Sequence, residues 1–208
     1  MKVLLINGSP KKNGTTFTAL SEVEKMLKND GIETEIIHIE TGAMQGCTAC
    51  LGCDRSDQCI FDDLVNEVAE KAKTADGFIV GSPVYYASGN GSLISFLDRL
   101  FYSQSENLKH KPGAAVVVAR RAGTTATLDQ LNKYFLINQM PIVSTQYWNM
   151  VFGHNPDEAR QDLEGMQTMR TLGKNMAWLL KSIDAGRKAG VALPEREQRV
   201  ATNFISLN

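Results

Sequence analysis

Lys2-Val-Leu-Leu-Ile-Asn-Gly-Ser-Pro-Lys-Lys-Asn-Gly-Thr-Thr16 decides how the rest of this chain is read. Val3 to Ile6 is an unbroken apolar run, the pattern of a strand buried on both faces. A loop of small and polar residues follows, Asn7 to Gly14. Thr15 and Thr16 then stand where a helix starts, and Phe17, Leu20, Val23 and Leu27 give that helix an apolar stripe. The first N–H groups of a helix have no internal partner, and its macrodipole places partial positive charge there. A strand that delivers a hydroxyl-rich loop to such an end builds an anion site. Ser9, Thr15 and Thr16 add hydroxyl donors, while Gly8 and Gly14 let the backbone come close. So many glycines and hydroxyls in one short loop favour phosphate over an ordinary capped turn.

The spacing says which phosphate. A Walker loop sets four residues between its glycines and follows the second with lysine. Here five residues separate Gly8 from Gly14, and Thr15 occupies the lysine position. The Gly-x-Gly-x-x-Gly of dinucleotide sites is absent. A loop without that lysine and those glycines suits a terminal phosphomonoester, and FMN fits this better than ATP or NAD.

With 208 residues the chain is long enough to bury a sizeable core, and it is read as a single domain spanning 1–208. A formal charge of −1 makes no electrostatic case for nucleic acid or for an anionic membrane. The N-terminal apolar run is too short for a signal peptide, and Gly8-Ser-Pro10 interrupts it. No stretch approaches a membrane span. A cytoplasmic location follows as the default, and disulfides are not expected there.

Further along, Thr34–Ile39 reads as a second strand near a sheet edge, with His38 as a half-exposed edge histidine. Asp62 and Asp63 open a helix and read as capping acids rather than metal ligands. Gly77–Gly81 is a third strand running into Ser82-Pro-Val-Tyr-Tyr-Ala-Ser-Gly-Asn-Gly91, a loop with two aromatics. A helix over about Ser92–Tyr102 follows, then a fourth strand at Gly113–Ala119 and the loop Arg120-Arg-Ala-Gly-Thr-Thr125. A helix over about Thr127–Gln139 returns to a fifth strand at Ile142–Thr145. Strands alternating with helices imply an α/β fold with a parallel sheet and right-handed crossovers. Pro156–Ile183 carries apolar residues at three- and four-residue steps, a long amphipathic helix that docks on the chain's own core or on another subunit.

Three loops of unusual chemistry each follow a strand: Ser9–Thr16, Ser82–Gly91 and Ala119–Thr125. Ligands of open α/β sheets sit at the carboxyl ends of strands where strand order reverses, so these loops converge if the sheet is doubly wound. The first binds phosphate, the second presses Tyr85 or Tyr86 on a flat ring, and the third offers Arg120, Arg121 and backbone N–H groups to ring atoms. The implied ligand is a flat, phosphorylated heterocycle.

Gly8-Ser-Pro-Lys-Lys-Asn-Gly-Thr15, Gly81-Ser-Pro-Val-Tyr-Tyr86 and Leu97-Asp-Arg99 resemble the flavodoxin-like NAD(P)H-dependent FMN reductase family. The resemblance covers roughly residues 1–150, an FMN-binding core, and leaves 151–208 as a C-terminal helical extension. It implies a doubly wound five-stranded parallel sheet of order 2-1-3-4-5 with helices on both faces. It also implies FMN with its phosphate at Ser9, Asn13, Thr15 and Thr16, beside Lys11. The ring would lie against Pro83, Val84, Tyr85 and Tyr86, with a third loop at Arg120–Gly123. One departure is that Ser95 stands where many relatives carry a lysine.

All four cysteines fall in Cys47-Thr-Ala-Cys50-Leu-Gly-Cys53 and Cys59. Clustered thiols of this kind suggest metal or redox chemistry. The C-x₂-C-x₂-C run is the iron–sulfur ferredoxin pattern, and four thiolates suit a [4Fe–4S] cluster. Zinc, which more often uses two separated knuckles, and empty or oxidised thiols remain alternatives. The run resembles the compact motif of the iron–sulfur flavoprotein branch, in which a cluster exchanges electrons with FMN across a dimer or tetramer interface.

The expected function is an FMN-dependent oxidoreductase that takes electrons from NAD(P)H or a redox protein and passes them to a protein or small-molecule acceptor, with the cluster as a relay. The flavin does the chemistry, so no side-chain acid, base or nucleophile is required. The competing readings are an electron carrier with no substrate of its own and a cluster-free FMN or quinone reductase.

Overall fold

A computed structural model describes residues 1–39, 41–195, 197–198 and 200. Positions 201–208 of the expected C-terminal extension lie outside the described residues. Among the described residues the strands are β1 (Lys2–Asn7), β2 (Glu33–His38), β3 (Gly77–Tyr85), β4 (Ser88–Gly89), β5 (Gly113–Ala119) and β6 (Met150–Phe152). The path β2-β1-β3-β5-β6 is parallel throughout, while β4 folds back antiparallel on β3. With the hairpin set aside, this is the expected 2-1-3-4-5 flavodoxin-like order. Strand order reverses at β1 and β3, which places a crevice at their carboxyl ends.

The helices are α1 (Thr15–Asn29), α2 (Cys53–Ser56), α3 (Leu64–Thr74), α4 (Gly91–Ser103), α5 (Ser105–Leu108), α6 (Thr124–Ile137), α7 (Pro156–Gln161) and α8 (Leu163–Lys188). Side chains alternate across β1, so Val3 and Leu5 enter one core and Leu4 and Ile6 the other. The first core packs under α1 and α8, the second under α3, α4 and α6. Both faces of β1 are therefore covered, which is why its sequence is a continuous apolar run.

Two expectations about the chain's second half need correction. The fifth strand is not Ile142–Thr145. Ile142 makes a single bridge with Gly113, and the chain then leaves the sheet edge. Asn149 ties off the excursion: its amide donates to the Val143 carbonyl, its side-chain oxygen accepts from Thr145, and its own carbonyl accepts from Val117. Pairing resumes only at Met150–Phe152, and Tyr147 and Trp148 stay half exposed in the bulge. The long C-terminal helix is likewise two helices. Asp162 breaks it, because its carboxylate accepts from the Gly165 amide as the N-cap of α8 and from the Phe152 amide of the edge strand. Met166, Met169, Leu172 and Met176 of α8 are buried on the chain's own core, each contributing about 1.5–3 kcal/mol.

Candidate functional site

The loop after β1, the expected phosphate loop, is held by its own side chains. Asn7 is fully buried at the end of β1; its amide donates to the Lys12 carbonyl and its oxygen accepts from the Ser9 amide. Ser9 is buried and its hydroxyl accepts from the Lys11 amide. His38, at the end of β2, donates Nε2–H to the Ser9 carbonyl at 2.8 Å. An edge histidine read as bystander thus braces the loop. At the start of α1, Gly14 is the N-cap and supplies no side-chain acceptor, and the first turn carries no acid. The positive end of α1 is left for an external anion. Thr16 is buried, Thr15 is half-buried, and Lys11 and Asn13 stand exposed at the rim.

The second and third loops close on the first. Gly8 donates its amide to the Gly81 carbonyl, and Asn90 donates its side-chain amide to the Gly8 carbonyl. Glycine suits position 8 because a Cβ there would come within 2.9 Å of the Gly81 carbonyl oxygen, which as backbone cannot give way. The hairpin of β3 and β4 turns at Tyr86 and Ala87, which both have positive φ, 51° and 58°. Paired Tyr85 and Ser88 flank them, so this is a two-residue turn of the kind that ordinarily takes Asn-Gly. Gln130 of α6 secures it by accepting from the Ser88 hydroxyl and the Gly89 amide. Gly123, with φ of 86°, sets the third loop directly on Val84 and Ala87.

Pro83, Val84, Tyr85, Tyr86 and Gly123 therefore share one rim with the phosphate loop. Tyr86 is fully exposed, Tyr85 is half exposed, and Arg120 and Arg121 are exposed on the third loop. Asn7, His38, Asn90 and Gln130, to which the sequence assigned no part in the site, each hold one of these loops by hydrogen bonds. Asn90 had a visible signal: it immediately precedes the amphipathic helix α4, where a polar residue faces back across the crevice.

The four thiols line a second, shallow pocket against Arg99 and Tyr102 of α4. All four cysteines are free; Cys47 and Cys50 are exposed, Cys53 and Cys59 half-buried. Among the described residues no three His, Cys, Asp or Glu side chains stand close enough to share a single ion. Burial, then the neighbouring Asp54, pushes the Cys53 thiol up from its ordinary value. Gly46, at the entrance to the loop, lies over Ser95, the small residue that departs from the family pattern.

Behind this pocket is an arginine that the sequence reading quoted but gave no role. Arg99 is 2% exposed. Its terminal nitrogens grip both Asp63 oxygens at 2.7 and 2.9 Å and donate to the Gln45 and Phe61 carbonyls, while Nε donates to Cys59 Sγ at 3.2 Å. Removing a guanidinium from water costs several kcal/mol, offset only when its donors are matched, as they are here. Burial opposes the charge, but Asp63 and Cys59 outweigh it and raise the Arg99 pKa. Asp63 also accepts from the Val65 amide as the N-cap of α3. The capping role expected of it holds, and the same carboxylate anchors the arginine. Arg99 lies three residues after Phe96, on the inner face of α4, and a charge in that register was the available signal.

The model of the NADPH-dependent FMN reductase family matches residues 1–155. An iron-sulfur flavoprotein of Methanocaldococcus jannaschii is 34% identical over 191 residues, covering 88% of this chain and 99% of that protein. An iron-sulfur flavoprotein of Methanosarcina thermophila is 32% identical over 194 residues, covering 90% and 99%. In fold, the chain is similar to an archaeal flavodoxin with a TM-score of 0.59 at 16% identity, covering 87% of this chain and 99% of that one. With the loops after β1, β3 and β5 on one rim of a β2-β1-β3-β5-β6 sheet, the chain belongs to the NADPH-dependent FMN reductase family.

Proposed function

We propose that this protein is an FMN-dependent oxidoreductase that takes electrons from NAD(P)H or a reduced redox protein, delivers them to a protein or small-molecule acceptor, and holds a [4Fe–4S] cluster at Cys47, Cys50, Cys53 and Cys59. The observation that carries the flavin reading is a chain of contacts: the uncapped N-terminus of α1 follows the first loop, Asn90 ties the second loop to Gly8 of the first, and Gly123 of the third packs on Val84 and Ala87 of the second. Bound FMN supplies both hydride and single-electron chemistry, and a cluster supplies single-electron steps. The chain's residues do the holding. The α1 amides with Ser9, Thr15 and Thr16 take the phosphate, Pro83 to Tyr86 flank the ring, and Gly123 brings backbone N–H groups beside it. The exposed Tyr86 and Arg120 leave one side of that rim open to an electron donor.

The cysteine pocket fits a cluster by its donor set. Four sulfurs line it with no histidine or carboxylate among them, a soft set suited to iron–sulfur chemistry or zinc. A cuboidal cluster takes one sulfur per iron, so its ligands surround a volume, whereas zinc draws them to a point. The names of the two archaeal relatives support the same choice. We further place the chain in a homodimer or homotetramer, which light scattering on the eluting protein would test.

Anaerobic purification, an absorption spectrum, and iron, sulfide and FMN assays on one sample test the proposal. About four iron and four sulfide per chain are expected alongside FMN. FMN without iron after reconstitution would remove the cluster and leave a flavin reductase. Failure to bind FMN would overturn the whole reading. Anaerobic NADH and NADPH oxidation then separates an enzyme from a carrier reduced only by another redox protein.

A further inference from the structure

Cys59 differs from the other three thiols in how firmly it is held. Its backbone is fixed by α3: the Cys59 amide donates to Asn66 Oδ1 and the Asn66 amide donates back to the Cys59 carbonyl, both at 2.9 Å. Its sulfur is fixed by α4, through the Nε–H of Arg99. The guanidinium is held from turning away, because both of its terminal nitrogens are engaged by Asp63 and by loop carbonyls and its Cζ lies 5.0 Å from the centroid of the Phe61 ring. Asp63 cancels its charge at bonding distance, so what reaches the sulfur is chiefly one directed N–H.

We infer that Arg99 is a positioning residue that holds the Cys59 sulfur in place and, through its Nε–H···S hydrogen bond, raises the reduction potential of the group bound at the four thiols. The first half stands on the geometry alone; the second rests on the cluster reading. A hydrogen bond to a ligating sulfur favours the more electron-rich state, so its loss lowers the potential.

Arg99→Lys separates the two contributions, because lysine has a methylene where Nε lies and its nitrogen near the guanidinium carbon. The cation beside Asp63 is kept and the N–H on Cys59 is lost. Asp63→Asn does the reverse, leaving the N–H in place and the charge uncompensated. In anaerobically reconstituted protein with normal FMN content and circular dichroism, the cluster midpoint potential should fall in Arg99→Lys and rise in Asp63→Asn. A purely structural role predicts no such opposite signs, and an unchanged potential in Arg99→Lys would overturn the inference whatever Asp63→Asn does. Should Arg99→Lys fail to fold, the double variant Arg99→Met with Asp63→Asn takes its place: it removes the N–H together with both charges, and its potential should still fall, an unchanged value overturning the inference. In metal-free wild-type protein, peptide-resolved alkylation should find Cys59 slower to react than Cys47 and Cys50, and Arg99→Lys should speed Cys59 selectively. If the wild type takes up no iron, the cluster reading fails by itself and this measurement decides the positioning role, which equal alkylation rates in the wild type would refute.

Discussion

Asn90 donates its side-chain amide to the Gly8 carbonyl at 2.7 Å, tying the helix after the ring-side hairpin to the loop after the first strand. Its backbone amide donates to the Ser82 hydroxyl, so one residue joins the loop after β1 to β3. The phosphate and ring halves of the crevice are separate in sequence, and this bond sets their spacing.

Asn90→Ala should therefore weaken FMN binding more than it weakens the fold. A net hydrogen bond is worth about 0.5–1.5 kcal/mol, which corresponds to roughly a two- to thirteenfold rise in Kd. Fluorescence titration of FMN against apoprotein measures it. A Kd equal to that of the wild type would show that the loops hold their spacing without Asn90.

Thr15→Asp should separate stability from binding. The first turn of α1 has no acid, and an aspartate there interacts favourably with the helix dipole by about 0.3–1 kcal/mol. The apoprotein should melt at the same temperature or higher. The same carboxylate faces the phosphate, so FMN affinity should fall by about tenfold or more, equivalent to roughly 1.4 kcal/mol. Riboflavin, lacking the phosphate, should bind the variant and the wild type alike. Equal losses for both ligands would place the phosphate elsewhere.

The parts of this architecture that were legible in the sequence are those specified by local pattern. Val3–Ile6 and Gly113–Ala119 are apolar because both faces are covered, and their shortness and flanking glycine and turn residues mark them as strands rather than buried helix. The convergence of the loops followed from topology once the sheet was known to be parallel. The edge strand was not legible, since three residues pair at Met150–Phe152 and side-chain bonds from Asn149, not periodicity, decide where pairing resumes. Arg99 was obscured for another reason. A charged residue in a helix reads as solvated unless its partner is known, and Asp63 lies thirty-six residues earlier in the chain. Whether the thiols hold iron depends on loading, which pattern does not encode.

Glu35 gives the fold a modest acid sensitivity. Its bond to Lys71 first, and to Lys2 second, holds its carboxyl below the ordinary glutamate value. A depressed folded-state pKa stabilises the protein above the unfolded value, about 4.3, and that stabilisation is lost as pH falls through the lower folded value. The pair lies near the surface, so its worth is under about 1 kcal/mol. Glu35→Gln should melt slightly below the wild type at pH 7, and the gap should close as the pH drops below about 4. A gap that widens in acid would contradict the ion-pair account.

Ala87→Gly probes the ring-side turn. Tyr86 and Ala87 both hold left-handed backbone conformations without glycine, and each such residue costs about 1–2 kcal/mol. Two strained residues at the tip of a ligand-facing hairpin are the kind of outlier that a functional constraint maintains. The constraint is visible at Ala87, whose Cα and Cβ pack where a side chain on Gly123 would otherwise project. Glycine at 87 should relieve one unit of strain and raise apoprotein stability by up to about 1 kcal/mol in urea unfolding. It should also remove the methyl that the third loop rests on, loosening that loop against the hairpin and lowering FMN affinity. Stability and affinity should thus move in opposite directions. Should both rise together, the strain would be incidental, and the third loop would owe its position to Val84 instead.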